Sequence, residues 1–241
     1  MGKAIFITGT GTEIGKTIVT SFLYLALQEM GVKTKIFKPI QTGLAEESAS
    51  FFADQYWYEE VIGEEKGSTG MYYMEPAVSP HLASMITNTT IQPNEIKNKI
   101  LELKNQYDVV LVEGAGGLAV PLFENGQEFY MTKDLIQQCE LPTVIVSLAG
   151  LGAIHHTVST VSYAEKHDIE IIGLIFNYFD SKNIVHLDNV RTIQKMLNLP
   201  IIAKLPTMSS LSKDSLIQLA KTFLSNKELK NVLLGGLEIE I

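Results

Sequence analysis

One loop near the N-terminus limits the folds open to this chain more than any other feature. The residues Gly9–Thr17, GTGTEIGKT, follow a short apolar run and precede a stretch with helical periodicity. Glycines let successive backbone N–H groups point to one side, and the start of the following helix adds donors and a favourable dipole. Lys16 supplies a cation for terminal phosphates, and the Thr17 hydroxyl suits Mg²⁺. This strand–loop–helix context predicts a phosphate-binding loop.

The loop differs in length from the common phosphate-binding pattern, in which four residues separate the two glycines. Here five residues lie between Gly9 and Gly15, the glycine that precedes Lys16. We therefore expect a variant loop with Thr12 and Glu13 near its crest.

Short apolar runs alternate along the chain with longer stretches of helical periodicity. Most runs are continuous and β-branched, which is typical of strands buried on both faces of a parallel sheet. The alternation predicts a doubly wound α/β fold with a mostly parallel sheet, of the P-loop NTPase kind, formed by residues 1–241 as a single domain. The predicted strands are Ala4–Thr8, Lys35–Lys38, Val109–Val112, Thr143–Ser147, Ile171–Phe176 and Ile201–Leu205. The predicted helices are Thr17–Met30, Glu95–Leu103, Val158–Lys166, Val190–Leu197 and Leu216–Leu224.

Two charged residues stand where predicted strands end. Lys38 lies in the segment FKPIQTG, and Glu113 begins a glycine-rich turn after the run VVLV. Ligands of doubly wound sheets bind outside the carboxyl ends of the strands. There Lys38 could neutralise charge on a transferring phosphoryl group, and Glu113 could hold Mg²⁺ directly or through water. The alternatives are a surface lysine and a glutamate that caps a turn.

The segment Glu46–Glu65 breaks the pattern, because it combines six glutamates with the aromatic run FFADQYWY. One interpretation is an inserted helix with a solvated acidic face and a buried aromatic face. The other is that an acid of this segment reaches the active site. Both interpretations stay open at this point.

Composition excludes several classes of protein. The formal net charge of −8 disfavours nucleic acid as a partner, since phosphate backbones need clustered lysine and arginine. Cys139 is the single cysteine, so neither a disulfide within the chain nor a cysteine metal site is expected. Because no run approaches ~18 apolar residues and the first residues lack a signal-peptide pattern, we expect no membrane partner and a cytoplasmic location.

Together these clusters resemble the dethiobiotin synthetase family. The motifs occur in the family's order and span most of the chain: FITGTGTEIGKT, FKPIQTG, SPH (Ser79–His81), VEGAGG followed by Pro121 and Leu122, LGAIHHT, and Asn177 at a strand end. The resemblance implies a P-loop homodimer with ATP and Mg²⁺ as cofactors. It implies an ATP-dependent ligase of biotin biosynthesis that closes the ureido ring of dethiobiotin from 7,8-diaminononanoate and CO₂.

The resemblance also implies roles for individual residues. Lys16 and Lys38 would be catalytic and would stabilise the phosphoryl group, while Thr17, Asp54 and Glu113 would surround Mg²⁺. The implied nucleotide-binding residues are Thr12, Glu13, Ile14, Gly15, Lys16, Thr17, Glu113, Gly116, Asn177 and Pro206, the last two beside the adenine. The implied substrate-binding residues are Thr42, Ser79 and Pro80, with Leu151, Gly152 and His155 of the other subunit at the carboxylate tail. His155 and its neighbour His156 could equally be surface residues of a first helical turn.

Other classes of protein share part of the pattern. Partition and septum-positioning ATPases carry a second lysine five positions before the loop lysine, where this chain has Gly11. Cobyrinate-type amidoligases use similar chemistry but usually carry a glutamine-handling domain, for which 241 residues leave no room. A nucleotide-binding interaction module would bind ATP without amine-dependent turnover.

Overall fold

A seven-stranded sheet forms the centre of the fold in the computed structural model, which describes residues 1–45 and 51–237. The strand order is β3-β2-β4-β1-β7-β8-β9, and each neighbouring pair is parallel. A separate antiparallel hairpin joins β5 to β6. The strands are β1 Lys3–Gly9, β2 Thr34–Thr42, β3 Gly70–Met74, β4 Val109–Glu113, β5 Pro121–Asn125, β6 Glu128–Met131, β7 Thr143–Leu148, β8 Ile171–Asn177 and β9 Ile201–Lys204.

The six predicted strands all belong to the sheet, and the α/β class with a parallel sheet is confirmed. The prediction missed the edge strand β3 and the hairpin. Four of the five residues of β3 are only partly buried, so their sequence lacks the continuous apolar character of a central strand.

The five predicted helices are also present, with earlier starts than periodicity indicated. The largest difference is in the fourth, which begins at Ile184 instead of Val190. The described helices are α1 Lys16–Glu29, α2 Ala53–Tyr56, α3 Pro80–Thr87, α4 Pro93–Gln106, α5 Thr132–Cys139, α6 Ala153–Lys166, α7 Ile184–Leu197, α8 Lys213–Ser225 and α9 Lys227–Gly236. In the described part of the chain, no helix is both long and apolar enough to cross a membrane.

Apolar side chains cover the sheet on both faces. Ile5 and Ile7 of β1 pack in one cluster with α1 and α8, where the rings of Phe22 and Phe223 meet edge to face with centroids 5.4 Å apart. The alternate residue Phe6 packs on the opposite face with the buried side of α4. This burial on both faces is why β1 is a continuous apolar run. Whether residues 1–241 form one domain stays a prediction.

The connection between β2 and β3 holds the segment that sequence periodicity left ambiguous. Part of the predicted insertion helix, residues 46–50, lies outside the described residues. The rest forms the short helix α2, which continues as a π-helical turn over Trp57–Ile62. Tyr58 and Ile62 are fully buried while Glu60 is exposed, so a buried aromatic and a solvated acid share this segment.

Candidate active site

The loop between β1 and α1 adopts a conformation that requires glycine at its last position. Gly15 has φ +80°, in the left-handed region, and precedes the first residue of α1. A Cβ atom there would lie 2.2 Å from Nδ2 of Asn177. The same Nδ2 atom donates a hydrogen bond to the carbonyl oxygen of Ile14, 3.0 Å away. Asn177, at the end of β8, therefore stabilises the loop through this hydrogen bond.

Lys16 lies inside the curl of the loop. Its Nζ donates to the carbonyl oxygen of Gly11 at 3.0 Å, and the residue is 7% exposed. Burial lowers the pKa of Lys16 and outweighs the attraction of Glu113. The hydrogen bond to Gly11 therefore holds the Lys16 side chain against the loop that is predicted to bind phosphate.

A cluster of four polar side chains lies beside the loop. The Thr17 hydroxyl is 2.8 Å from Oδ1 of Asp54 and 3.2 Å from Oε1 of Glu113. Lys38 Nζ forms one ion pair with Oδ2 of Asp54 and a second, 2.7 Å long, with Oε1 of Glu113. The two carboxylates therefore share one ammonium group and one hydroxyl.

The charges in this cluster stabilise one another. Burial alone would lower the pKa of Lys38, but the carboxylates of Glu113 and Asp54 reverse that effect and raise it. Burial would likewise raise the pKa of Asp54, and the nearby charge of Lys38 lowers it instead. Lysine and aspartate are therefore both ionised near neutral pH.

The cluster opens into a cavity of about 400 Å³ at the carboxyl end of the sheet. Ten predicted site residues line it: Thr12, Glu13, Gly15, Lys16, Thr17, Lys38, Thr42, Asp54, Glu113 and Gly116. Sequence analysis missed five further lining residues: Ile18, Ile40, Gln41, Ala115 and Tyr178. Tyr178 directly follows the predicted Asn177 at the end of β8, and this position was the available signal.

Other predicted residues do not line this cavity. Ser79 and Pro80 begin α3, where the Ser79 hydroxyl lies 3.0 Å from Nδ1 of His81. Ile14 of the loop and Asn177 at the end of β8 are both buried, and Pro206 is exposed in the segment after β9.

The three residues predicted at the carboxylate tail lie in a second cavity of about 550 Å³ at the start of α6. It is lined by Leu151, Gly152, Ile154, His155, Val158, Asn189 and Met196. His155 and Leu151 are both exposed, and Leu151 is 95% exposed. Within the described chain, these residues share no lining residue with the cavity that holds Lys16.

The glycines after Glu113 differ in what surrounds them. A Cβ at Gly114 would lie 2.7 Å from the ring of Phe6, and a Cβ at Gly117 would lie 3.0 Å from the carbonyl oxygen of Gly9. These two glycines allow β4 and its turn to pack against β1, and Gly116 is the one that lines the cavity.

The oxygen donors around Lys38 fit Mg²⁺. Among the described residues, no group of three or more His, Cys, Asp or Glu side chains could hold a metal. Mg²⁺ in phosphate-binding sites uses one or two carboxylates together with phosphate oxygens and water. Asp54, Glu113 and the Thr17 hydroxyl supply such a set, with each carboxylate within 3.2 Å of the hydroxyl.

Comparison with known proteins agrees with this geometry. The model of a family described as "AAA domain" matches residues 3–215. The chain is 62% identical to the ATP-dependent dethiobiotin synthetase of Geobacillus sp. strain WCH70 over the full length of both proteins. It is 51% identical to the enzyme of the same name from Geobacillus kaustophilus, over 97% of each chain.

Solved structures show the same fold at much lower identity. The Aquifex aeolicus MinC:MinD cell division protein complex matches with a TM-score of 0.57 and 14% identity, over 98% of this chain and 95% of that one. The Pyrococcus horikoshii septum site-determining protein MinD, complexed with Mg-ADP, matches with a TM-score of 0.53 and 18% identity, over 95% and 99%. Such identities establish the architecture alone, whereas the full-length relatives show that the chain belongs to the ATP-dependent dethiobiotin synthetase family.

Proposed function

We propose that this protein is a dethiobiotin synthetase that uses ATP and Mg²⁺ to carboxylate 7,8-diaminononanoate with CO₂ and close the ureido ring. The products are dethiobiotin, ADP and phosphate. One observation carries the proposal. Hydrogen bonds and ion pairs connect four side chains that line one cavity beside the phosphate loop: Thr17, Lys38, Asp54 and Glu113.

The reaction divides into three steps that need no covalent nucleophile from the protein. One substrate amine adds to CO₂ and loses a proton, which gives a carbamate. A carbamate oxygen then attacks the γ-phosphate and ADP departs, leaving a mixed carbamic–phosphoric anhydride. The second amine attacks the carbonyl carbon, closes the ring and expels phosphate. Phosphoryl transfer depends mainly on positioning and charge neutralisation.

The chain's own groups supply both of these requirements. Lys16 would contact the β- and γ-phosphates and neutralise their charge. Lys38 would neutralise charge on the transferring phosphoryl group. Thr17, Asp54 and Glu113 would hold Mg²⁺, which supplies further charge neutralisation when bound. Thr42 lines the same cavity and would contact the substrate near its amines.

The adenine contact is more restricted than the resemblance suggests. Asn177 donates one of its two Nδ2 hydrogens to Ile14, so its second Nδ2 hydrogen and its Oδ1 atom are left for a contact with the base. An amide oxygen accepts from the exocyclic amine of adenine. Pro206, exposed in the loop after β9, would lie beside the base.

The septum-positioning ATPases remain fold relatives only. Their signature lysine would occupy position 11, where this chain has a glycine whose carbonyl accepts from Lys16. To test the proposal, phosphate release from ATP is measured with and without 7,8-diaminononanoate and bicarbonate. Release that requires both compounds, with dethiobiotin as product, is the expected result. A steady ATPase indifferent to the diamine would exclude the proposed function.

We also propose a homodimer in which the start of α6 from one subunit binds the substrate carboxylate in the other subunit's site. Two observations support this. The backbone N–H groups at a helix start attract anions, and no side chain of the described residues caps α6. Leu151, Gly152 and His155 also line a different cavity from the phosphate loop of their own chain.

Complementation between two inactive variants tests the shared site. Lys16→Ala disables the phosphate loop, and His155→Asp sets a like charge against the carboxylate on an exposed first turn. Gly152 is unsuitable for the second lesion, because its φ is +83° and a Cβ would lie 3.0 Å from the His156 ring. When the two variants are refolded together in equal amounts, each mixed dimer has both substitutions in one site and neither in the other. Mixed dimers make up about half of the total, so about a quarter of all sites should regain activity on symmetry grounds. Inactive mixed dimers would refute sharing and leave the ATP chemistry intact.

A further inference from the structure

The two oxygens of Glu113 have separate environments. Oε1 faces the cavity, where it accepts from Lys38 at 2.7 Å and lies 3.2 Å from the Thr17 hydroxyl. Oε2 faces the protein interior, where it accepts from the Thr20 hydroxyl at 2.8 Å and from the Tyr58 hydroxyl. All of Glu113, Thr20 and Tyr58 are 0% exposed.

These contacts fix the orientation of the carboxylate. A carboxylate oxygen offers two lone-pair directions, and the two hydroxyl donors occupy both of those on Oε2. Rotating the carboxylate would leave two buried hydroxyl groups without their acceptor, and unpaired buried polar groups are costly. Only Oε1 is therefore presented to a cation in the cavity.

We propose that Tyr58 and Thr20 are positioning residues that hold Glu113 so that it binds the catalytic cation through Oε1 alone. The inference rests on the proposed function, because it assumes that a Mg²⁺–nucleotide occupies this cavity. Neither residue lines the cavity, so each would act through Glu113.

Tyr58 also links Glu113 to the segment that supplies the other acid. Asp54 belongs to α2 and lies four residues before Tyr58. Tyr58 belongs to the π-helical turn that directly follows α2. Trp57 fixes this segment on α1, because its Nε1 donates to the Ser21 hydroxyl at 2.9 Å. Docking of one segment therefore places Asp54 at the cavity and orients Glu113 at the same time.

The test is Tyr58→Phe, which removes one hydroxyl and keeps the ring. The matched control is Tyr56→Phe in the same segment, whose ring is 46% exposed and packs against Phe51. Partners of metal-binding groups typically contribute 10–100-fold to metal affinity or activity. For Tyr58→Phe we therefore expect the Mg²⁺ concentration needed for ADP binding, measured by calorimetry, to rise about tenfold. We also expect kcat to fall about tenfold. The KM for the diamine should stay unchanged, and Tyr56→Phe should match the wild type.

A second pair of variants guards against a simple folding defect. Thr20→Ser keeps the hydroxyl that donates to Oε2, and Thr20→Val removes it at nearly constant shape. Thr20→Ser should keep the Mg²⁺ requirement of the wild type, whereas Thr20→Val should raise that requirement. The fluorescence of Trp57, the single tryptophan, reports whether the segment is still docked.

Two outcomes would overturn the inference. One is a lower melting temperature in Tyr58→Phe and Thr20→Val with an unchanged magnesium titration, which would show a structural role only. The other is equal effects of Thr20→Ser and Thr20→Val. Wild-type protein assayed in parallel separates the two proposals, because its diamine-dependent turnover tests the function without reference to Tyr58.

Discussion

Strand β2 carries two buried lysines that pair with carboxylates of the same following connection. Lys35 pairs with Glu64, and Lys38 pairs with Asp54 as well as with Glu113. The Lys35 and Glu64 side chains are 2% and 6% exposed, whereas those of Lys38 and Asp54 are 10% and 29% exposed. Both are lysine–carboxylate pairs, but the access of solvent and ligand differs.

The first pair is closed. Lys35 also donates to the Ser68 hydroxyl at 2.7 Å, and the other oxygen of Glu64 accepts from the backbone N–H of Ile36 at 3.0 Å. The second pair borders the cavity of about 400 Å³ beside the phosphate loop. The closed pair fixes the β2–β3 connection, whereas under the proposed function the open pair would exchange its partners for a phosphate and a cation. The two lysines of this strand differ in access, not in charge.

Lys38→Met should produce the largest effect. We expect turnover to fall by roughly 10³-fold or more, because the charge that faces the transferring phosphoryl group is lost. The free protein should also lose stability, since the buried Glu113 loses its cation. Added Mg²⁺ should restore part of that stability through the cavity. The measurements are product formation and urea unfolding with and without Mg²⁺. Near-normal turnover would remove Lys38 from the mechanism.

Lys35→Met should affect stability instead. Removing one partner of a buried pair costs about 3–5 kcal/mol, because the buried Glu64 then loses its cation. Mg²⁺ should not restore this loss, and kcat of the folded protein should stay close to wild type. The double variant Lys35→Met with Glu64→Gln should recover most of the stability and keep an acceptor for Ile36. A kcat loss as large as that of Lys38→Met would mean that the two pairs do not differ in role.

The sequence predicts the central strands well because their physical signal is local. The run Val109–Val112 is buried on both faces, so it is continuously apolar, and its neighbour Glu113 stands out as the first charge. Strand β3 has no such signal, because it lies at the sheet edge and contains two partly buried tyrosines. Edge position is a property of the whole sheet, and one segment's composition does not specify it.

The site is predictable to the extent that strands deliver its residues. Lys16 and Glu113 follow or end a predicted strand, and the fold brings such ends together. Lys38 was expected at the end of its strand, but it lies within β2, which continues to Thr42. The roles of Tyr58 and Lys35 could not be inferred in this way. Tyr58 reaches Glu113 only because the β2–β3 connection folds back over α1, and this is a contact between residues 55 positions apart. Aromatic composition alone predicted only a buried face.

Glu113→Gln should reduce turnover less than Lys38→Met does, because shape and one acceptor oxygen remain. We expect turnover to fall about 10–100-fold and the Mg²⁺ requirement to rise, as a charged oxygen is lost from the cation site. A Mg²⁺ titration of product formation measures both quantities. Glu64→Gln is the control from the closed pair and should leave the titration unchanged. If the two variants titrate alike, Glu113 does not contact the cation.

Lys66→Ala should have the smallest effect, and it tests whether burial, and not pairing as such, distinguishes the pairs. Lys66 pairs with Glu60 at 2.6 Å on the same connection, but its side chain is 76% exposed and that of Glu60 is 42% exposed. Water and salt screen such a pair, and holding two long side chains in place costs entropy. The urea midpoint and kcat should therefore both match the wild type within error. A loss of stability comparable to that of Lys35→Met would show that the charge of this connection matters wherever it lies, and access would no longer explain the difference between Lys35 and Lys38.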